Sequence, residues 1–125
     1  MNLVVDTSVL IDYLRGGILW EQIIESEKEA ICHIPTIVIF ELFSGKSSKL
    51  PQNAQKIKNI LKYLERIELT EKIAKRAGEL YRDVNKTLQA PDYIIAASCL
   101  SIGGSVVTLN VKHFQNIPGL QIYPN

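Results

Sequence analysis

The sequence predicts an α/β fold built on a parallel sheet with helices on both faces. Short β-rich runs recur at Leu3-Val4-Val5, Ala30 to Ile34 and Ser105 to Leu109. Between them lie segments whose apolar residues return at three- and four-residue steps, the period of a helix with one buried face. Turn chemistry at Gly16-Gly17, Pro35-Thr36 and Gly103-Gly104 separates the two kinds. Alternation of this sort favours parallel strands joined by helical crossovers, and such folds gather ligands at the carboxyl ends of their strands.

Taken in order, the first strand ends at Asp6, after which Thr7 or Ser8 can cap a helix carrying Val9, Leu10, Tyr13 and Leu14. Beyond Gly16-Gly17, an amphipathic helix from about Ile18 to Ser26 buries Leu19, Ile23 and Trp20, and Ala30 to Ile34 is a second strand. Ile37 to Phe43 reads as a helix capped by Thr36 and ending near Gly45, although its β-branched residues leave a strand open. Lys46 to Leu50 is a polar loop. Pro51 opens a helix bearing Ile57, Ile60, Leu61 and Leu64, and Arg66 to Leu69 is a short strand. Thr70 and Glu71 start a long helix whose stripe runs Ile73, Ala77, Leu80, Tyr81, Val84, Leu88. Pro91 opens a helix over 92–100 that is apolar on nearly every side and therefore central. Ser105 to Leu109 and Leu120 to Tyr123 supply the remaining strands.

A chain of 125 residues, 46% hydrophobic and 22% charged, is expected to fold as one domain over 1–125. Its 14 basic residues stand against 13 acidic ones, so a formal charge of +1 gives no bulk attraction to polyanions and any nucleic-acid surface must be local. Met1 leads directly into an apolar strand with neither a basic leader nor a run long enough to span a membrane, which makes a cytoplasmic protein the expectation. Cys32 and Cys99 lie far apart without metal-ligand spacing and are read as two reduced, buried thiols.

Three carboxylates stand at element ends among apolar neighbours. Asp6 closes a strand at the expected carboxyl edge of the sheet, where it either serves chemistry or caps the next helix. Glu41 interrupts Ile37-Val38-Ile39-Phe40 and Leu42-Phe43, where an unpaired carboxylate would cost several kcal/mol. A metal ion, a basic partner or an edge position that lets the chain reach water would compensate it. Asp92 follows Pro91 where a helix N-terminus favours negative charge, so capping alone also accounts for it. Clustered together, the three would repel one another strongly without a cation. An oxygen-only set points to Mg²⁺ or Mn²⁺, ions that activate water beside a phosphodiester.

Leu3-Val4-Val5-Asp6-Thr7-Ser8-Val9-Leu10-Ile11-Asp12 resembles the opening motif of PIN-domain nucleases. Ile37 to Phe43 with Glu41, Pro91 to Ala97 with Asp92, and Val107 to Phe114 are similar to the second, third and fourth motifs, in the family's order. The resemblance covers nearly the whole chain and implies a three-layer α/β/α PIN-like fold with a central, mainly parallel sheet. It further implies a Mg²⁺- or Mn²⁺-dependent endoribonuclease in which Asp6, Glu41 and Asp92 are the catalytic metal ligands, with Thr7, Ser8 and Thr108 as nearby polar contacts. A chain this short most resembles VapC-type toxins, which implies RNA as substrate, an antitoxin protein as partner and a two-fold homodimer.

The fourth motif departs from the acidic pattern, because many relatives carry Asp at the position of Asn110 or of His113. Asn110 either offers its amide oxygen to the site or forms a turn, and His113 is either a surface residue near a helix end or a phosphate contact or proton carrier near neutral pH. Lys46 and Lys112 flank site motifs and are the better phosphate candidates among Lys46, Lys49, Arg82, Lys86 and Lys112. Asp12 is expected outside the site, paired with Arg15. The rival reading is a catalytically degenerate PIN-fold module that binds protein or RNA without cutting. A nucleotide-binding α/β protein lacks its Gly-rich phosphate loop here.

Overall fold

The computed structural model describes residues 1–84 and 88–124. Five strands, β1 (Asn2–Val5), β2 (Ile31–Pro35), β3 (Glu65–Ile67), β4 (Ser105–Val107) and β5 (Gln121–Ile122), form one sheet in the order β3-β2-β1-β4-β5. Every pairing is parallel, so the expected sheet is parallel throughout. Leu3, Val4 and Val5 are fully buried because a central parallel strand is covered on both faces, which is why β1 reads as a continuous apolar run.

The helices are α1 (Thr7–Leu14), α2 (Leu19–Ser26), α3 (Thr36–Ser44), α4 (Pro51–Leu61), α5 (Glu71–Asp83), α6 (Ala90–Ser101) and a four-residue α7 (Val111–Phe114). Ile37 to Phe43 is helical, so the strand alternative falls; its first residue is Thr36, and Pro35 rather than Thr36 holds the cap position. Likewise Asp6, and neither Thr7 nor Ser8, caps α1. The expected loop after α3 tightens into a 3-10 turn over Lys46–Lys49. β3 begins and ends earlier than Arg66 to Leu69, in register with β2 through His33 opposite Glu65 and Pro35 opposite Ile67. Among the described residues α5 ends at Asp83, where Val84 turns extended, so Val84 and Leu88 lie beyond the helix although both still pack against the core.

Helix α6 is central, as its composition predicts: Tyr93, Ile95, Ala96, Ala97, Ser98 and Cys99 are all buried, and Ser98 satisfies its hydroxyl on the Ile94 carbonyl at 2.7 Å. It leaves through Gly103, which adopts φ +63°, and Gly104, where a Cβ would come within 3.1 Å of the Asn2 carbonyl oxygen. This close approach sets β4 against β1. Cys99 is buried with its thiol pushed up to about 12 by desolvation, whereas Cys32 is only half-buried. No helix among the described residues is long and apolar enough to cross a membrane.

Candidate active site

The chain passes from β1 to β2 and β3 on one side, then returns to place β4 and β5 on the other. The reversal lies between β1 and β4, and a crevice opens at the carboxyl ends of two strands whose crossovers diverge. Asp6 follows β1 directly, and its amide donates to the Val107 carbonyl at 3.0 Å, prolonging the pairing with β4. Its position therefore comes from the sheet.

Only 4% exposed, the Asp6 carboxylate would be costly without partners. Oδ1 accepts from the Thr7 amide at 2.8 Å, and Oδ2 accepts from the hydroxyls of Ser8 at 2.8 Å and Thr108 at 2.7 Å. Those hydroxyls accept in turn from the loop after β4: the Leu109 amide donates to Ser8 Oγ at 3.0 Å and the Asn110 amide to Thr108 Oγ1 at 2.8 Å. With an acceptor lone pair of each hydroxyl so engaged, the single proton of each is free to point at Asp6. Thr7 also ties a second carboxylate into the network, since its hydroxyl donates to Glu41 Oε1 at 2.6 Å.

Glu41 on α3 is half-buried, and burial raises its pKa above the usual carboxylate value; the Thr7 hydrogen bond opposes this, while Asp6 and Asp92 reinforce it. Asp92, in the first turn of α6, is also raised by burial. The nearby His113 imidazole works against that rise, Asp6 adds to it and a backbone hydrogen bond at Gln89 opposes it. His113 Nδ1 lies 3.7 Å from Asp92 Oδ2.

Asp6, Thr7, Ser8, Glu41, Asp92, Asn110 and His113 line one cleft of about 480 Å³, whose apolar and backbone walls come from Ile11, Leu88, Gln89 and Pro91. In the sequence Ile11, Leu88 and Pro91 carry only structural or motif readings and Gln89 none, since nothing in an isolated Ile or Leu marks it as lining a cleft. The three carboxylates share this cleft, yet among the described residues no three His, Cys, Asp or Glu side chains stand close enough to form a ready-made ion cage. Asn110 is exposed and its side chain makes no capping hydrogen bond to α7. Thr108 lies behind Asp6 rather than on the wall, and Lys46 and Lys112 are exposed residues outside the lining. Lys86 lies outside the described residues.

Asp12 sits away from the cleft at the end of α1, its carboxylate folded over Gly17 so closely that a Cβ there would collide with it. The ion pair expected with Arg15 does not form; instead the Arg15 amide donates to the Asp12 carbonyl at 3.1 Å. A second groove, about 660 Å³, runs beside Tyr13, Ile18, Trp20, Ile24, Ile60 and Tyr63. Although larger, it contains a single carboxylate, Glu21, so the acid chemistry belongs to the smaller cleft.

The PIN domain family model matches residues 3–120. Ribonuclease VapC19 of Mycobacterium tuberculosis is 30% identical over an alignment covering 94% of this chain and 95% of that protein. Ribonuclease VapC1 of Rickettsia felis is also 30% identical, covering 98% and 95%. Among solved structures, the DNA-bound VapBC of Salmonella typhimurium superposes with a TM-score of 0.85 at 22% identity, covering 98% of this chain and 96% of its match. A toxin-antitoxin complex from Klebsiella pneumoniae matches with a TM-score of 0.77 at 26% identity, covering 94% of each chain.

Proposed function

Because the chain belongs to the PIN-domain family, we propose that it is a divalent-metal-dependent endoribonuclease, the toxin of a toxin–antitoxin pair, with Asp6, Glu41 and Asp92 at its catalytic centre. One observation carries the reading: carboxylates from the end of β1, from α3 and from the start of α6 line a single cleft at the reversal of strand order. The ribonuclease names of its relatives support it.

The donor chemistry fits a hard cation. Asp6, Glu41 and Asp92 would hold Mg²⁺ or Mn²⁺, with the Asn110 amide oxygen as a neutral fourth acceptor in the same cleft. Burial and mutual repulsion raise Glu41 and Asp92, an electrostatic penalty that a cation among them would offset. When bound, such an ion supplies an activated water and neutralises charge developing on a phosphate. The hydroxyl network keeps both Asp6 oxygens oriented, and Thr7 couples that orientation to Glu41. A single strand or loop of RNA suits a recessed acidic cleft better than a duplex, since its backbone can be bent inward. Exposed Lys46 and Lys112 would receive flanking phosphates.

The toxin assignment implies an antitoxin and a cytoplasmic setting, and the VapBC complexes among the structural neighbours support a protein partner.

Asp6→Asn and Asp92→Asn should each lower Mn²⁺- or Mg²⁺-dependent RNA cleavage at least about a hundredfold while circular dichroism stays that of the wild type. Cleavage at the wild-type rate by either folded variant removes that residue from the centre. A wild-type protein that binds RNA but never cuts it, with either ion, establishes the degenerate binding module instead.

A further inference from the structure

Building on the divalent-ion reading above, we propose that His113 is a nitrogen ligand beside Asp92, so that the site selects a first-row transition ion over Mg²⁺. The imidazole is held near the acidic wall by its element. Phe114, the next residue, is fully buried and anchors α7, and the His113 amide donates to the Asn110 carbonyl at 2.9 Å, closing the turn that presents the ring. The side chain of Asp92 is 20% exposed, that of His113 47%, so the ring keeps room to swing.

The separation is informative. At 3.7 Å, His113 Nδ1 and Asp92 Oδ2 are too far apart for a hydrogen bond. Two donors bound to one ion at about 2.1 Å each stand roughly 3.0–3.4 Å apart for bond angles between octahedral and tetrahedral. A movement of a few tenths of an ångström therefore brings this pair to the spacing of adjacent ligands. Asn110 adds no charge to the cleft, so beside Asp6 and Glu41 its lining offers an ion one further carboxylate, Asp92, one amide and one imidazole. Magnesium strongly prefers oxygen and gives up its waters reluctantly, whereas first-row transition ions accept imidazole readily. A mixed nitrogen and oxygen set thus lowers the relative standing of Mg²⁺.

The test is Mn²⁺ binding to the purified protein, followed by electron paramagnetic resonance with pulsed detection of ¹⁴N coupling and with Mg²⁺ as competitor. Wild type should show a nitrogen coupling that is absent in His113→Ala and in His113→Asp. His113→Ala should weaken Mn²⁺ about tenfold, the usual effect of losing a supporting ligand, with less than about a twofold change for Mg²⁺. His113→Asp should shift the competition toward Mg²⁺. The chain's other imidazole, His33, is hydrogen-bonded to Asn2 at the far end of β1, and His33→Gln should retain the coupling. Mn²⁺ bound with equal affinity by wild type and His113→Ala, and without nitrogen coupling, overturns the ligand role and leaves the ion reading intact. No Mn²⁺ binding by wild type overturns the ion reading and this inference with it.

Discussion

Asp6 joins two roles that compete when read from sequence. The same carboxylate that accepts from the Thr7 amide at the start of α1 also faces the cleft, because a cap at the end of β1 necessarily lies at the sheet's carboxyl edge. Glu41 exposes the opposite tension, between stability and function. Its carboxyl pKa is raised first by burial and then by Asp6 and Asp92, against the Thr7 hydrogen bond. The folded state therefore holds the proton more tightly than the unfolded chain. Stability falls as pH rises through about 4.3 toward the raised value, and the full penalty persists above it. Glu41→Gln should consequently raise the melting temperature without divalent ions at pH 7–8, though modestly, because solvent screens a half-exposed group. The gain should vanish as pH approaches 4, while RNA cleavage is lost at every pH. Calorimetry across that range decides it: a lower melting temperature at neutral pH would mean that the charged form is stabilised.

At the level of elements, the least conspicuous segment does much of the positioning. α7 has four residues and was not apparent from periodicity, since one helical turn gives no repeat to detect. It is held by Phe114, fully buried, and places Asn110 and His113 on the cleft wall. Phe114→Ala should cost about 3–5 kcal/mol of folding stability. In the surviving folded fraction, cleavage at low metal should fall more steeply than cleavage at saturating metal. Denaturant unfolding with activity titrations separates the two, and undiminished metal affinity would show that the wall does not depend on this anchor. Longer elements were easier to read. Ile37 to Phe43 is ambiguous between helix and strand because Thr36 and Gly45 bound it as a helix while its β-branched residues favour a strand; packing of Val38 and Leu42 selects the helix, which turns Glu41 toward Thr7.

For the molecule as a whole, α3 leaves an apolar surface uncovered. Phe40 is 65% exposed and Phe43 38% exposed, a pair at three-residue spacing on the helix that also carries Glu41. The two-fold dimer implied by family resemblance would bury such a surface against itself. Light scattering should give the mass of a dimer across the micromolar range, and Phe40→Asp should yield a monomer that remains folded. A monomeric wild type at these concentrations would place the apolar face in some other contact.

The order and type of most elements were legible in the sequence, because hydrophobic period, capping residues and Pro or Gly breaks act over a few neighbouring residues. The acidic trio was legible for a related reason: a carboxylate inside an apolar run, like Glu41, is costly enough to mark itself. What sequence could not supply was relation across distance. Thr108 reaches Asp6 only because β4 lies beside β1, and Thr7 reaches Glu41 only because α1 meets α3. The ends of β3 and α5 shifted for the same reason, since strand register with β2 and packing beyond Asp83 are long-range outcomes. Local chemistry determined which residues deserved suspicion, and the strand reversal between β1 and β4 decided which of them share a cleft, because side chains far apart in the chain meet only where the sheet's connectivity brings their element ends together.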